Sequence, residues 1–218
     1  MITMWEESDL NINDTLIFED KFYQLLGEEQ VIYTPDLFRI SATWEKDKES
    51  LYISTYEISE HQLYLKNMTI SSDRGFPVIN EVNPQSVYND KGYDTVLYEN
   101  ILEKLSYTGG ILIGSDYIKN YNTRYDLPYF LYGKLYELIF EDGKLITTID
   151  HSKAMLRIRK NLDLGLRNLE KERDRKCIKH FLKTSFVGDY MNPGKKKKKK
   201  LKNITDYISK IKSFTPFA

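Results

Sequence analysis

Two periodicities divide the chain. Between residues 38 and 149 apolar residues fall in short β-type runs separated by turn residues, and after Asp150 they recur every three or four positions. Residues 51–58 (Leu-Tyr-Ile-Ser-Thr-Tyr-Glu-Ile) and 62–70 (Gln-Leu-Tyr-Leu-Lys-Asn-Met-Thr-Ile) are rich in β-branched and aromatic side chains, and the three residues between them predict an antiparallel hairpin. Residues 107–113 read as a strand entered through Gly109 and Gly110, where a bulge or the close approach of another backbone is expected. Residues 134–141 and 144–150 flank Asp142-Gly143, a pair that tolerates positive φ and so predicts a second tight hairpin. Residues 76–84 carry two prolines and read as an edge or connection. Helical spacing of apolar residues predicts short helices over 19–26, 94–105 and 115–122.

Past Asp150 the pattern is a single apolar stripe. Met155, Ile158, Leu162, Leu166 and Leu169, then Cys177, Ile178, Phe181 and Leu182, predict a helix of some thirty residues, or two helices broken at Gly165. Asp150 or Ser152 is the expected N-cap. Residues 170–176 hold no apolar side chain and are expected in solvent. Beyond Pro193-Gly194, Leu201, Ile204, Ile208, Ile211 and Phe214 mark a short basic amphipathic helix.

Charge follows the same division. The formal net charge is zero, yet residues 1–150 hold 12 Lys and Arg against 26 Asp and Glu, whereas residues 151–218 hold 20 against 6. An acidic body with a basic extension argues about association rather than fold. Lys195, Lys196, Lys197, Lys198, Lys199 and Lys200 are consecutive like charges, which repel and read as a linker or tail. Cys177 is the single cysteine, so no internal disulfide forms, and a buried apolar role is expected for it on the helical stripe. No apolar run approaches the ~18 residues of a membrane span and residues 1–7 show no leader pattern, so a cytosolic protein is expected.

Candidate chemistry is sparse. His61, His151 and His180 lie in three separate elements without metal spacing. Asp150-His151-Ser152 has the composition of a triad, but adjacent residues do not line up along one hydrogen-bond relay, and a helix start accounts for them. Asp142-Gly143-Lys144 has the acid-x-Lys spacing of metal nucleases, yet the hairpin already requires these residues. Gly109, Gly110 and Gly114 lack the Lys-Ser or Lys-Thr end of a phosphate loop. Glu137 and Glu141 share one strand face and are the carboxylate pair open to an enzymatic reading, which the rest of the sequence disfavours.

Three segments in order carry a resemblance. They are 39–44 (Arg-Ile-Ser-Ala-Thr-Trp) with 51–58 and 62–65, then 107–113 (Tyr-Thr-Gly-Gly-Ile-Leu-Ile), then 136–145 (Tyr-Glu-Leu-Ile-Phe-Glu-Asp-Gly-Lys-Leu). The pattern resembles an uncharacterised family of small bacterial β-rich proteins and implies a β-rich fold and a bacterial origin, with no active site to carry over. Where that family often has a His-Met-Gly run, this chain has Tyr121-Asn122-Thr123-Arg124-Tyr125-Asp126.

The reading that results is an α+β protein in three parts. Residues 1–150 form an acidic antiparallel sheet, 151–190 a long basic helix or two, and 191–218 a Lys-rich linker with the short amphipathic helix. Its expected role is that of a cytosolic protein-interaction module, inhibitor-like or immunity-like, meeting a basic protein partner through a Tyr-rich acidic sheet, with no cofactor or metal. Tyr107, Tyr136, Glu137 and Glu141 are the expected contacts on the sheet. The alternative is an accessory nucleic-acid-binding protein acting through Arg173, Arg175, Lys176 and the run from Lys195 to Lys200.

Overall fold

The computed structural model describes residues 14–40, 52–72, 75–87, 95–121 and 128–190. The Lys run and the amphipathic stripe after it lie outside the described residues. Ten strands form one sheet: β1 (Thr15–Phe18), β2 (Lys21–Glu28), β3 (Tyr52–Ser59), β4 (Gln62–Ser71), β5 (Gln85–Val87), β6 (Thr95–Tyr98), β7 (Glu103–Lys104), β8 (Gly109–Tyr117), β9 (Tyr132–Glu141) and β10 (Lys144–Asp150). Their order is β10-β9-β8-β2-β1-β3-β4-β6-β5, with β7 beside β4.

Both hairpins read from turn chemistry are present. Glu60 and His61 turn at φ 50° and 62° between β3 and β4, and Asp142 and Gly143 turn at 48° and 75° between β9 and β10. The second turn requires glycine twice over, because a Cβ on Gly143 would also overlap the Leu105 carbonyl oxygen. That close approach closes the sheet on itself. Lys144 pairs with Gln62, the Leu63 N–H donates to the Gly143 carbonyl at 2.8 Å, and the Leu145 N–H donates to the His61 carbonyl at 2.7 Å. The inner face of this curl is filled by Leu16, Tyr56, Leu65, Met68, Tyr98, Ile111, Leu138 and Phe140.

The structure corrects four expectations. The sheet is mixed rather than antiparallel, because β1 runs parallel to β3 with Thr15 opposite Thr55 and Ile17 opposite Glu57. Residues 19–26 form a turn and a strand: Glu19 and Asp20 both have positive φ, and Tyr23 and Leu25 then face the inner core. Residues 94–105 hold β6 and β7, since Asn100 and Leu102 at φ 58° and 50° break any helix, and Val96, Tyr98, Ile101 and Leu105 still reach the core. Ser115, Asp116 and Tyr117 continue β8.

The helical region is a pair, α1 (Ser152–Asp163) and α2 (Glu172–Ser185), separated at Gly165 with φ 67°. Met155 and Ile158 of α1 and Ile178 and Leu182 of α2 pack with Leu112 and Leu135 of the outer sheet face in a second core. Arg159 is buried, its guanidinium donating to the carbonyls of Phe130 (2.7 Å) and Tyr132 (2.8 Å), so it belongs to this packing and not to a basic surface. Cys177 is exposed, contrary to the buried role its place on the stripe implies.

Candidate functional site

Strand alternation sends Leu135, Glu137 and Ile139 of β9 to the outer face, where the helical layer covers them. Glu137 is 0% exposed, and a buried carboxylate is tolerable only when its oxygens are satisfied. Four donors do this. Oε2 meets His151 Nε2 at 2.8 Å and accepts the Val187 N–H at 3.1 Å, while Oε1 accepts the Gly188 N–H at 2.7 Å and the Tyr190 hydroxyl at 2.9 Å. Burial alone raises the Glu137 pKa, but these bonds and the adjacent imidazole outweigh it and hold the carboxyl below its ordinary value. With both oxygens occupied, Glu137 serves as a structural hub that fixes the chain leaving α2.

Tyr190 completes the same arrangement. Its ring lies over Gly27 of β2 and Gly110 of β8, and a Cβ at Gly110 would overlap its hydroxyl oxygen. The close approach expected at Gly109-Gly110 is therefore an aromatic ring and not a backbone. Glu29 adds a second clasp by accepting the Gly110 N–H at 3.2 Å and the Asp189 N–H at 3.4 Å. Burial, with Glu137 and Glu29 nearby, pushes the Tyr190 phenol well above its ordinary value and keeps it a donor.

The residues singled out from the sequence scatter. Tyr107 is 1% exposed in the inner core, donating to the Gly110 carbonyl at 2.8 Å, so neither it nor Glu137 presents surface to a partner. Tyr136 is half-buried against Phe18 and Tyr23, and Glu141 is half-buried at the end of β9. Arg173 is exposed. Arg175 donates to the Leu169 and Glu170 carbonyls, and Lys176 pairs with Glu172 at 2.7 Å one helical turn away. Asp150 Oδ1 accepts the Ser152 N–H at 2.8 Å at the start of α1, where the N-cap position is His151 and not the expected Asp150 or Ser152. His151 reaches Glu137, whereas His61 sits in a hairpin turn and His180 is exposed on α2. No three His, Cys, Asp or Glu converge to hold a metal among the described residues.

The exposed feature the sequence reading missed lies at the end of the sheet where β1 turns into β2. Phe22 is 70% exposed just after the Glu19-Asp20 turn, and Tyr117 is 50% exposed at the end of β8, the strand beside β2. Exposed Glu19, Asp20 and Asp116 neighbour the two rings in sequence, as do exposed Lys21 and, across the β8–β9 pair, Lys134. On the inner face the rings of Tyr23 and Tyr136 meet at 5.8 Å, and burial lifts the Tyr23 phenol above its ordinary value, with Tyr136, Glu19 and Asp116 adding to the effect. An aromatic two residues past an acidic turn, out of phase with inward Tyr23, is the signal that points to this exposed feature.

A third cluster sits at the opposite end of the sheet. Asp14, just before β1, accepts the Ser54 N–H at 2.8 Å and the Tyr56 hydroxyl at 3.4 Å, yet burial raises its pKa to about 6. Glu28 is raised to about 7 by burial and by the charge of Asp14. No helix among the described residues is long and apolar enough to cross a membrane. Comparison of the chain with protein-family models, with curated proteins and with solved structures finds no match.

Proposed function

We propose that the protein is an interaction module that docks a basic protein partner at the acidic rim formed by Glu19, Asp20 and Asp116 around Phe22 and Tyr117. It works as an inhibitor or immunity protein does, by covering a positive site. The observation that carries this reading is the pair of large exposed rings next in sequence to exposed Glu19, Asp20 and Asp116, which outnumber the exposed Lys21 and Lys134. Interfaces of high affinity concentrate energy in aromatic anchors, and surrounding charge of one sign steers and selects the partner. Tyr117 is supported by Tyr132, whose ring meets it edge-on at 5.5 Å, while Tyr136 packs on the inner face against Phe18 and Tyr23.

The test is capture from a cell lysate at low salt by the immobilised full chain. It is run beside a rim variant carrying Phe22→Ala and Asp116→Lys, and beside a control with Asp142→Lys at the far hairpin. A basic protein held by the wild type and the control, released by salt, and weakened about tenfold or more by the rim substitutions is the expected result. Capture of the same proteins by the rim variant sinks the proposal, as does a wild type that holds none.

A further inference from the structure

The outer face of α1 is unusual for a helix in water. Lys153, Leu156, Arg157, Lys160 and Leu164 follow one another at helical spacing, and all five are exposed. Leu156 is 43% exposed, Leu164 is 72%, and Leu166, across Gly165 in the α1–α2 loop, is 61%. Gly165 has no atom within 4 Å of where a Cβ would lie, so the leucine pair sits on an open protruding tip. Behind it, Ile158, Ile178 and Phe181 line an apolar recess whose rim carries Arg157 and Arg167. Arg157 lies over the Phe181 ring at 5.7 Å, and Arg167 stands 3.8 Å from Asp174.

We infer that this α1–α2 tip docks on an anionic phospholipid bilayer, with Leu164 and Leu166 inserted and Lys153, Arg157, Lys160 and Arg167 at headgroup level. A nucleic acid would engage the cations and leave three leucines in water. A bilayer uses both, because its phosphates lie directly above its acyl chains, and the recess repeats that order with arginines over apolar side chains. The complementarity is of charge and of layering together. It uses none of the rim side chains, although Tyr121, four residues past Tyr117, donates to Asp163 beside Leu164 at 2.8 Å; the leucine and cation substitutions leave the rim residues unchanged, so the two proposals are tested apart.

Co-sedimentation of the full chain with phosphatidylserine–phosphatidylcholine vesicles tests the inference, with phosphatidylcholine vesicles as the comparison. Sedimentation should require phosphatidylserine and weaken with salt. Leu164→Ser with Leu166→Ser should cut partitioning about tenfold or more, and each of Lys153→Gln, Arg157→Gln and Lys160→Gln about fivefold. All of these positions are exposed, so an unchanged thermal midpoint verifies that the fold is intact. Absence of sedimentation at low salt overturns the inference. So does sedimentation unaltered in the leucine variant, whether or not replacing Lys195 to Lys200 by Gln removes it. Equal retention of wild type and leucine variant by vesicles and by a DNA duplex identifies phosphate alone as the ligand, and overturns it equally.

Discussion

At the scale of single residues, Glu137 carries the largest consequence. Its carboxylate gathers His151, two backbone N–H groups and the Tyr190 hydroxyl in a site closed to water. Glu137→Gln offers one acceptor oxygen and turns an amide N–H₂ toward groups that are themselves donors. The expected loss is about 3 kcal/mol or more by urea unfolding, in line with breaking a buried charged pair from one side. Glu137→Leu combined with His151→Leu should lose less than the sum of the single changes, since neither partner is then left unsatisfied. The sequence marked Glu137 as a candidate for its pairing with Glu141, while its partner turned out to be His151, fourteen residues later across a turn. One signal was available: on the outward face of β9, Leu135 and Ile139 flank Glu137, and an acid inside an apolar stripe implies a buried partner. His151 arrives through the β9–β10 hairpin, whereas the Val187, Gly188 and Tyr190 donors depend on where the chain returns after two helices, which no spacing rule encodes.

Elements were legible in proportion to how local their cause is. The β3–β4 and β9–β10 hairpins follow from two-residue turns with positive φ, which set the register next to the turn, and each pair then shifts register once, at Thr55/Tyr56 and at Leu145/Thr147. The parallel β1–β3 pair joins strands some forty residues apart, and alternation says nothing about a strand's neighbour or direction. Apolar spacing over 94–105 imitates a helix because two very short strands and a bent connection each send one or two side chains inward. Gly165 marked the helix break correctly. The segment after α2 has no periodicity of its own and is held by Glu137, Glu29 and the glycine slot under Tyr190. Gly110→Ala fills that slot. It should free residues 186–190 while the paired backbones of β8 and β9 remain, so hydrogen exchange should lose protection at Val187 and Gly188, whose N–H groups donate to Glu137, and keep it at Ile111 and Leu112. Uniform loss along β8 would show that the glycine serves the sheet itself.

For the whole molecule, charge opposes compactness in a way that pH controls. The acidic body places Asp14 and Glu28 at one end of the sheet, where burial lifts Asp14 to about 6 from 3.8, and burial with the charge of Asp14 lifts Glu28 to about 7 from 4.5. A carboxyl that binds its proton more tightly when folded stabilises the fold below its unfolded pKa and loses that contribution as pH rises through its folded pKa. Stability from this pair is therefore complete near pH 4, falls between about pH 4 and 7, and is spent above about pH 7. Glu137 acts in the opposite sense, since its lowered pKa gives stability that is present at neutral pH and lost in acid. The two effects together predict a maximum on the acidic side of neutrality. Glu28→Gln removes one charge of the repelling pair, keeps the shape, and should raise stability at pH 8 on the order of 1 to 2 kcal/mol while changing it little at pH 4. Thermal unfolding of both proteins across that range measures the difference. A Glu28→Gln gain that is the same at pH 4 and pH 8 would mean that packing, and not the shared field of the two carboxyls, limits this end of the sheet.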